Sequence, residues 1–98
     1  MSYETLSVAE SCCMMTVEIY TQPWCSYCDR AISLLERKGV AFKEISAPHG
    51  SPERDEAMHR SGRTTMPQIF IGGQHVGGCD DLFALDRAGK LDGMLAAA

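Results

Sequence analysis

The alternation of apolar and polar positions predicts a strand–helix–strand unit in the first half of the chain. Residues 17–21 alternate as a half-buried strand does, and the sequence Gln-Pro-Trp then breaks the pattern. Apolar positions three and four residues apart predict a helix from about Ser26 to Lys38, which Gly39 ends. Residues 40–45 predict a second strand. Because only short connections join these elements, the two strands should be parallel.

In the second half of the chain, turn and capping residues mark the predicted boundaries of the helices and strands. Ser51 followed by Pro52 is typical of a helix start, and this second helix should end near Gly62. Residues 68–71 and 74–77 predict two short strands. The Gly-Gly pair between them is typical of a hairpin turn.

A third helix follows the hairpin, and it completes the predicted fold. Asp80 is predicted to cap this helix, which should end near Gly89, and residues 91–98 add a short helical tail. The predicted order of elements is β-α-β-α-β-β-α. This order predicts an α/β fold in which a four-stranded mixed sheet is flanked by helices.

Length and composition are typical of one small globular domain. The chain has 98 residues, of which 45% are hydrophobic and 22% charged. We assign the domain to residues 16–98 and interpret residues 1–15, which lack a clear period, as a flexible N-terminal extension. The net charge of −4 argues against nucleic acid as the main partner. Since no apolar run approaches the roughly 20 residues that span a bilayer, no membrane association is expected.

The five cysteines indicate redox chemistry rather than a framework of structural disulfides. Their odd number argues against a closed set of disulfides, and the N-terminus lacks the basic segment and apolar core of a secretory signal. We therefore expect a cytoplasmic protein, in which paired cysteines are more often catalytic or metal-binding than structural. The cysteines are Cys12, Cys13, Cys25, Cys28 and Cys79.

Cys25 and Cys28 form a C-x-x-C motif between a predicted strand and the start of a predicted helix. The free N–H groups and the positive end of the helix dipole favour a thiolate, so the pKa of Cys25 should fall. Cys25 is then the exposed nucleophile, and Cys28, one turn inside, is the protected thiol that closes a disulfide. A zinc half-site or two idle thiols are the alternatives, but the sequence has no second C-x-x-C and no spaced His pair.

Longer motifs further along the chain carry a family resemblance. Together with the C-x-x-C motif, the segments Arg63–Ile71 and Gly77–Leu82 resemble the small bacterial dithiol glutaredoxins, which belong to the thioredoxin superfamily. The resemblance runs from about Thr16 to Leu95. It implies a thioredoxin-like fold and a thiol–disulfide oxidoreductase that uses glutathione as its reductant. Its partners would be glutathione and disulfide-bonded or glutathionylated proteins.

The resemblance also implies a glutathione site built from distant residues. Pro67 would be a cis-proline that lets the Met66 backbone pair with the extended tripeptide. Asp80 and Asp81, at a helix start, would take the γ-glutamyl end, and Arg63 would take the glycyl carboxylate. Capping and surface solvation are the alternative roles of these charged side chains. The implied residues are Tyr27, Arg63, Thr65, Met66, Pro67, Asp80 and Asp81.

Two departures from the family pattern bear on function. Gln22 stands where the family often has a lysine, which should weaken the contact with the glycyl carboxylate. Ser26 replaces a proline, and some glutaredoxins with such a site hold a [2Fe–2S] cluster between two subunits. Cys25 and one glutathione from each chain would supply the four thiolates, so a cluster-bridged homodimer is the alternative to a monomeric enzyme. Cys79 is either a regulatory thiol open to glutathionylation or, as we favour, a small packed residue.

Overall fold

A four-stranded sheet and four helices form residues 16–96, the part of the chain that this computed structural model describes. The strands are β1 (Val17–Thr21), β2 (Lys43–Ser46), β3 (Gln68–Ile71) and β4 (Gln74–Gly77). The helices are α1 (Ser26–Arg37), α2 (Pro52–Ser61), α3 (Cys79–Arg87) and α4 (Leu91–Leu95). The predicted order and mixed sheet are confirmed. The predicted extension and the last two residues of the predicted tail lie outside the described part.

The sheet runs in the order β2-β1-β3-β4, which places its two most buried strands at the centre. β1 pairs with β2 in parallel, as predicted, and with β3 antiparallel, while β3 and β4 form the predicted hairpin. β2 begins at Lys43, later than predicted. Val40 and Phe42 pack against the core without pairing in the sheet, so their apolar character reflects burial rather than strand pairing.

Local capping sets the helix starts, and one predicted cap is wrong. Ser51 caps α2 as predicted, because its Oγ accepts a hydrogen bond of 3.1 Å from the N–H of Arg54. At α3, however, Gly78 is the N-cap residue, and Asp80 already lies exposed inside the first turn. The Asp81 carboxylate accepts a hydrogen bond of 3.0 Å from the N–H of Gly78. Asp81 therefore fixes the start of α3, and the Asp80 side chain has no capping role.

Two apolar clusters form the core, and the smaller one reaches the cysteine motif. The larger cluster packs β1 and β3 against α1, α3 and α4, and it includes the fully buried Ile19, Leu35 and Leu82. The smaller cluster contains Cys28 and Met66. Burying one large apolar side chain contributes about 1.5–3 kcal/mol. The start of α1, which carries Cys28, and the segment that carries Met66 are therefore both held in place by packing in the core. None of the helices in residues 16–96 combines the length and apolar character needed to cross a bilayer.

Candidate active site

The two cysteines of the C-x-x-C motif are joined by a disulfide at the start of α1. Their Cα atoms lie 5.2 Å apart, within the range that a disulfide spans. Cys25 is the N-cap residue, and the backbone N–H of Cys28 points at its Sγ at 3.1 Å. Cys28 is 2% exposed, whereas Cys25, which was predicted to be the exposed cysteine of the pair, is half-buried. Of the two sulfurs, only that of Cys25 is therefore open to a second molecule.

The helix start supplies the electrostatics that a reactive thiol needs. The first N–H groups of a helix lack partners within it, and the helix dipole places positive partial charge at this end. In the reduced protein, the N–H of Cys28 is placed to favour the charged thiolate of Cys25 over the neutral thiol. The arrangement can thus hold a nucleophilic sulfur at Cys25 with a buried partner one turn away.

Two exposed aromatic side chains flank the disulfide. Trp24 is fully exposed, and its φ of +59° is a left-handed conformation that is uncommon outside glycine. Tyr27 is 54% exposed, and the Arg30 guanidinium lies 5.9 Å from its ring centroid. The rim around Cys25 therefore offers apolar contact area to an incoming molecule.

A groove of about 300 Å³ opens beside the disulfide and collects every residue of the predicted glutathione site. The Met66–Pro67 bond is cis, as the family resemblance implies. The carbonyl oxygen of Met66 lies 3.9 Å from Sγ of Cys25, so the groove adjoins the accessible sulfur. The residues that line it are Tyr27, Arg63, Thr65, Met66, Pro67, Gly78, Cys79, Asp80 and Asp81.

An ion pair joins two of the predicted glutathione ligands across this groove. Nη1 of Arg63 donates to Oδ2 of Asp81 at 2.9 Å, although these residues are 18 positions apart. The N–H of Gly78 and then the Arg63 guanidinium hold the pKa of the Asp81 carboxyl below its usual value. Both side chains are about half exposed. The predicted ligands for the two ends of the tripeptide therefore contact each other in the groove, which the sequence did not indicate.

Gln22, the position that departs from the family pattern, has a partner inside the protein. Its Oε1 accepts a hydrogen bond of 2.7 Å from Nη1 of Arg54, a side chain that is only 4% exposed. The same guanidinium donates to the backbone carbonyls of Ala47 and Thr64. No role for Arg54 was predicted from the sequence. Its position three residues before the buried Ala57 on α2 was the signal that it faces inward.

Cys79 is packed in the core, which favours one of its two predicted roles. It is 4% exposed within the larger apolar cluster, and burial raises the pKa of its thiol. A buried neutral thiol is a poor nucleophile, so the geometry gives no support to glutathionylation at this position. Within residues 16–96, no group of three or more His, Cys, Asp or Glu side chains is arranged to hold a metal ion.

Comparison with known proteins identifies the family. The model of the Glutaredoxin family matches residues 17–76. Glutaredoxin 3 of Escherichia coli K12 is 56% identical over 82 residues, which are 84% of this chain and 99% of the relative. A glutaredoxin of Pseudomonas aeruginosa is 60% identical over 85 residues, which are 86% of this chain and all of the relative.

Solved structures agree with these relatives in both fold and sequence. The solution structure of the Brucella melitensis glutaredoxin is 59% identical, covers 86% of this chain and 91% of its own, and superposes with a TM-score of 0.75. The buckwheat glutaredoxin–glutathione complex is 28% identical, covers 98% of this chain and 94% of its own, and has a TM-score of 0.74. The chain is therefore a member of the glutaredoxin family, a dithiol glutaredoxin with a thioredoxin-like fold, the C-x-x-C pair Cys25–Cys28 and thiol–disulfide oxidoreductase activity.

Proposed function

We propose that Cys25 is the nucleophile and Cys28 the resolving thiol in the reduction of disulfides by glutathione. The observation that carries this assignment is the asymmetry of the pair, in which one sulfur is accessible at a helix start and the other is buried beneath it. The chemistry needs this asymmetry. An incoming disulfide must reach the attacking sulfur, whereas the resolving sulfur acts only on the intermediate that the attack forms.

Reduction of a glutathione mixed disulfide needs only the accessible sulfur. The Cys25 thiolate attacks the glutathionyl sulfur, the old S–S bond breaks, and the protein thiolate leaves and takes up a proton. A second glutathione thiolate then attacks the Cys25–glutathione disulfide. This step releases oxidised glutathione and restores the Cys25 thiolate, so one glutathione is consumed for each protein thiol freed.

Reduction of a protein disulfide uses both cysteines. Cys25 attacks one sulfur of the substrate and forms a mixed disulfide, while the other substrate sulfur leaves as a thiol. The Cys28 thiolate then attacks the Sγ of Cys25, which frees the second substrate thiol and leaves the Cys25–Cys28 disulfide seen in the structure. Two molecules of glutathione reduce that disulfide and leave as one oxidised glutathione.

The groove beside Cys25 is the proposed glutathione site. Glutathione carries two carboxylates and one ammonium, and the groove offers donors and acids of matching charge. Tyr27 and Thr65 would line the bound cysteinyl part, and the Met66 backbone beside Pro67 would pair with the extended peptide. The glutathione complex of the buckwheat relative supports a ligand of this class.

Binding would exchange the Arg63–Asp81 ion pair for contacts with the ligand. The ammonium of the ligand would form an ion pair with the Asp81 carboxylate, with Asp80 beside it. The γ-glutamyl carboxylate would accept hydrogen bonds from the N-terminal N–H groups of α3. Arg63 would then be released to the glycyl carboxylate as a charged fork. Because both side chains are about half exposed, the ion pair is worth only about 0–1 kcal/mol and is easily exchanged.

The proposed partners are glutathione and disulfide-bonded or glutathionylated proteins. Glutathione is the reductant of the cytoplasm, where thiols are kept reduced, so we place the activity of this protein there.

Trapping the intermediate tests these roles directly. Cys28→Ser should react with oxidised glutathione and gain one glutathionyl group, which peptide mass spectrometry should locate at Cys25. This variant should still reduce glutathione mixed disulfides, but it should lose reduction of protein disulfides that need both thiols. Absence of the glutathionyl group from Cys25, or full activity of the variant on protein disulfides, would show that the roles are assigned wrongly.

Binding of a [2Fe–2S] cluster is a second candidate function, with Cys25 as the ligand from this chain. Such a cluster needs four thiolates. The accessibility of Cys25 and the burial of Cys28 and Cys79 leave one available thiolate per chain within the described residues. Two chains and two bound glutathiones would therefore complete the set. A structure described as metal binding of glutaredoxins, 58% identical over 85% of this chain and 90% of its own with a TM-score of 0.65, favours testing this capacity.

Absorption spectra recorded during size-exclusion chromatography separate the two candidates. Protein is assembled without oxygen in the presence of iron, sulfide and glutathione. Visible bands that elute with a dimer and disappear in Cys25→Ser would establish the cluster, while a colourless monomer would leave the reductase as the sole function.

A further inference from the structure

The floor of the groove is held from behind by two buried side chains that do not line it. Arg54 on α2 is 4% exposed, and its Nη2 donates to the carbonyl of Thr64 at 2.7 Å. Gln68, the first residue of β3, is completely buried, and its Nε2 donates to the carbonyl of Thr65 at 2.8 Å. Two consecutive carbonyls of the segment before Pro67 are therefore turned into the protein.

Peptide geometry determines what the other edge of this segment presents. The Met66–Pro67 bond is the one cis bond in residues 16–96, so the two preceding peptides are trans. In a trans peptide the carbonyl and the following N–H point in opposite directions. With the carbonyls of Thr64 and Thr65 held inside, the N–H groups of Thr65 and Met66 point away from the core. Neither N–H donates to a backbone acceptor within residues 16–96, and both residues line the groove.

We infer that Arg54 and Gln68 are positioning residues for the glutathione site. They act through the backbone, because fixing two carbonyls inward leaves two adjacent N–H donors for acceptor oxygens of the tripeptide. The inference rests on the proposed function of the groove and adds the residues that shape it. Neither side chain lines the groove, so neither touches the ligand.

Each positioning side chain is itself fixed by further hydrogen bonds. Arg54 also donates to Gln22 and to the carbonyl of Ala47, so it joins the end of β2 and the approach to α1 to the groove floor. The Oε1 of Gln68 is hydrogen-bonded to Nε2 of His75 at 2.8 Å. This contact orients the Gln68 amide so that the Nε2 of Gln68 faces the carbonyl of Thr65. Burial lowers the pKa of His75, and a neutral ring with its proton on Nε2 donates to Gln68.

Kinetics of variants test the inference. Gln68→Leu removes the donor to the Thr65 carbonyl, and Arg54→Met removes the donor to the Thr64 carbonyl and also the one to the Ala47 carbonyl. We expect the KM for a glutathionylated peptide to rise about three- to tenfold in each, the change that one lost buried hydrogen bond typically produces. The kcat and the rate at which iodoacetamide alkylates reduced Cys25 should stay within about twofold, since the helix start is untouched. Arg54→Lys, which keeps the charge and one donor, should recover part of the affinity.

Arg60 provides a matched control on the same helix. Its guanidinium hydrogen-bonds to Glu18 and Tyr20 and lies 4.0 Å from the ring centroid of Phe70, so it is a well-bonded, though less buried, arginine that does not bond to the groove floor. Arg60→Met should lower stability and leave the KM unchanged. The inference is overturned if Arg54→Met and Gln68→Leu keep the native KM, or if Arg60→Met raises it as much as they do.

NMR of the backbone amides provides a second test, which uses the native protein and so does not depend on whether a variant folds. In the free protein, the N–H groups of Thr65 and Met66 should exchange rapidly with solvent, and S-methylglutathione should shift both resonances downfield. Slow exchange in the free protein would overturn the inference. Shifts elsewhere in the groove but not at these two amides would overturn it while leaving the glutathione site intact. No shift at any groove residue would instead overturn the proposed function of the groove.

Discussion

The redox pair and the groove beside it are built in opposite ways. Cys25 and Cys28 lie within one turn of α1 and share a local hydrogen bond. The groove takes its walls from the start of α1, the segment before β3 and the start of α3. Its contacts join residues far apart in the chain. Reactivity is thus a local property of this protein and recognition a tertiary one, so mutations should be able to remove either without the other.

Removing the attacking sulfur should produce the largest effect, and it should spare the groove. Cys25→Ser is expected to abolish reduction of both protein disulfides and glutathione mixed disulfides, because the other described cysteines, Cys28 and Cys79, are buried. Turnover coupled to glutathione reductase measures the loss, and S-methylglutathione should still bind. Residual turnover well above the uncatalysed rate would contradict a purely local origin of reactivity.

Gly77→Ala should damage the groove next most strongly, and Gly73→Ala is its matched control. Both glycines have positive φ, +128° and +81°, so an alanine strains the backbone at either position by about 1–3 kcal/mol. Only at Gly77 would the new Cβ collide with a side chain, that of Asp81. We therefore expect the KM for glutathionylated peptide to rise in Gly77→Ala alone. Thermal unfolding and steady-state kinetics measure the two effects, and an equal KM change in both variants would refute the distinction.

Separating the Arg63–Asp81 ion pair should have an intermediate effect that is confined to recognition. Arg63→Met and Asp81→Asn are each expected to raise the KM about three- to tenfold, since each loses a charge-assisted contact with the ligand. Stability should change little, by about 0–1 kcal/mol, because the pair is exposed. The rate of Cys25 alkylation serves as the control, and a large change in that rate would show that the two regions are not independent.

The smallest expected effect is on the pH dependence of stability. The pKa of Asp81 is lowered in the folded protein, first by the N–H of Gly78 and then by Arg63. Its stabilising contribution is therefore present above the unfolded value of about 3.9 and is lost as the pH falls through the folded pKa. The difference in unfolding free energy between the native protein and Asp81→Asn should shrink on acidification from about pH 6 to about pH 3. Denaturant titrations at several pH values measure this difference, and a difference that grows on acidification would contradict a stabilising role of the ionised Asp81 carboxylate.

The sequence predicted best what depends on local pattern. The C-x-x-C motif, the cap at Ser51 and the Gly-Gly hairpin all follow from residues adjacent in the chain, and the structure has them where they were predicted. In addition, every glutathione ligand that the family resemblance predicted lines the groove. Their mutual arrangement could not be predicted in this way. The Arg63–Asp81 contact and the inward direction of Arg54 depend on how distant segments pack.

Two local predictions failed for a related reason. Asp80 has the side chain of a helix cap, but the N-cap position of α3 lies two residues earlier, at Gly78, whose N–H donates to the carboxylate of Asp81. Residues 40–42 have the apolar character of a strand, but Val40 and Phe42 pack against the core and precede β2, which begins at Lys43. In both cases the residue type suited the predicted role, but the tertiary path of the backbone placed the residue where it has a different one.

The exposure of Trp24 makes this protein report on its own active site by fluorescence. Trp24 is the single tryptophan of the chain, and it is already fully exposed in the folded state beside Cys25. Its emission maximum should therefore move little on unfolding, unlike that of a buried indole. Its intensity should instead follow the oxidation state of Cys25, because Cys25 is the next residue in the chain and disulfides quench the emission of a nearby indole. Stopped-flow fluorescence could then time each reduction and oxidation of the enzyme without any added dye.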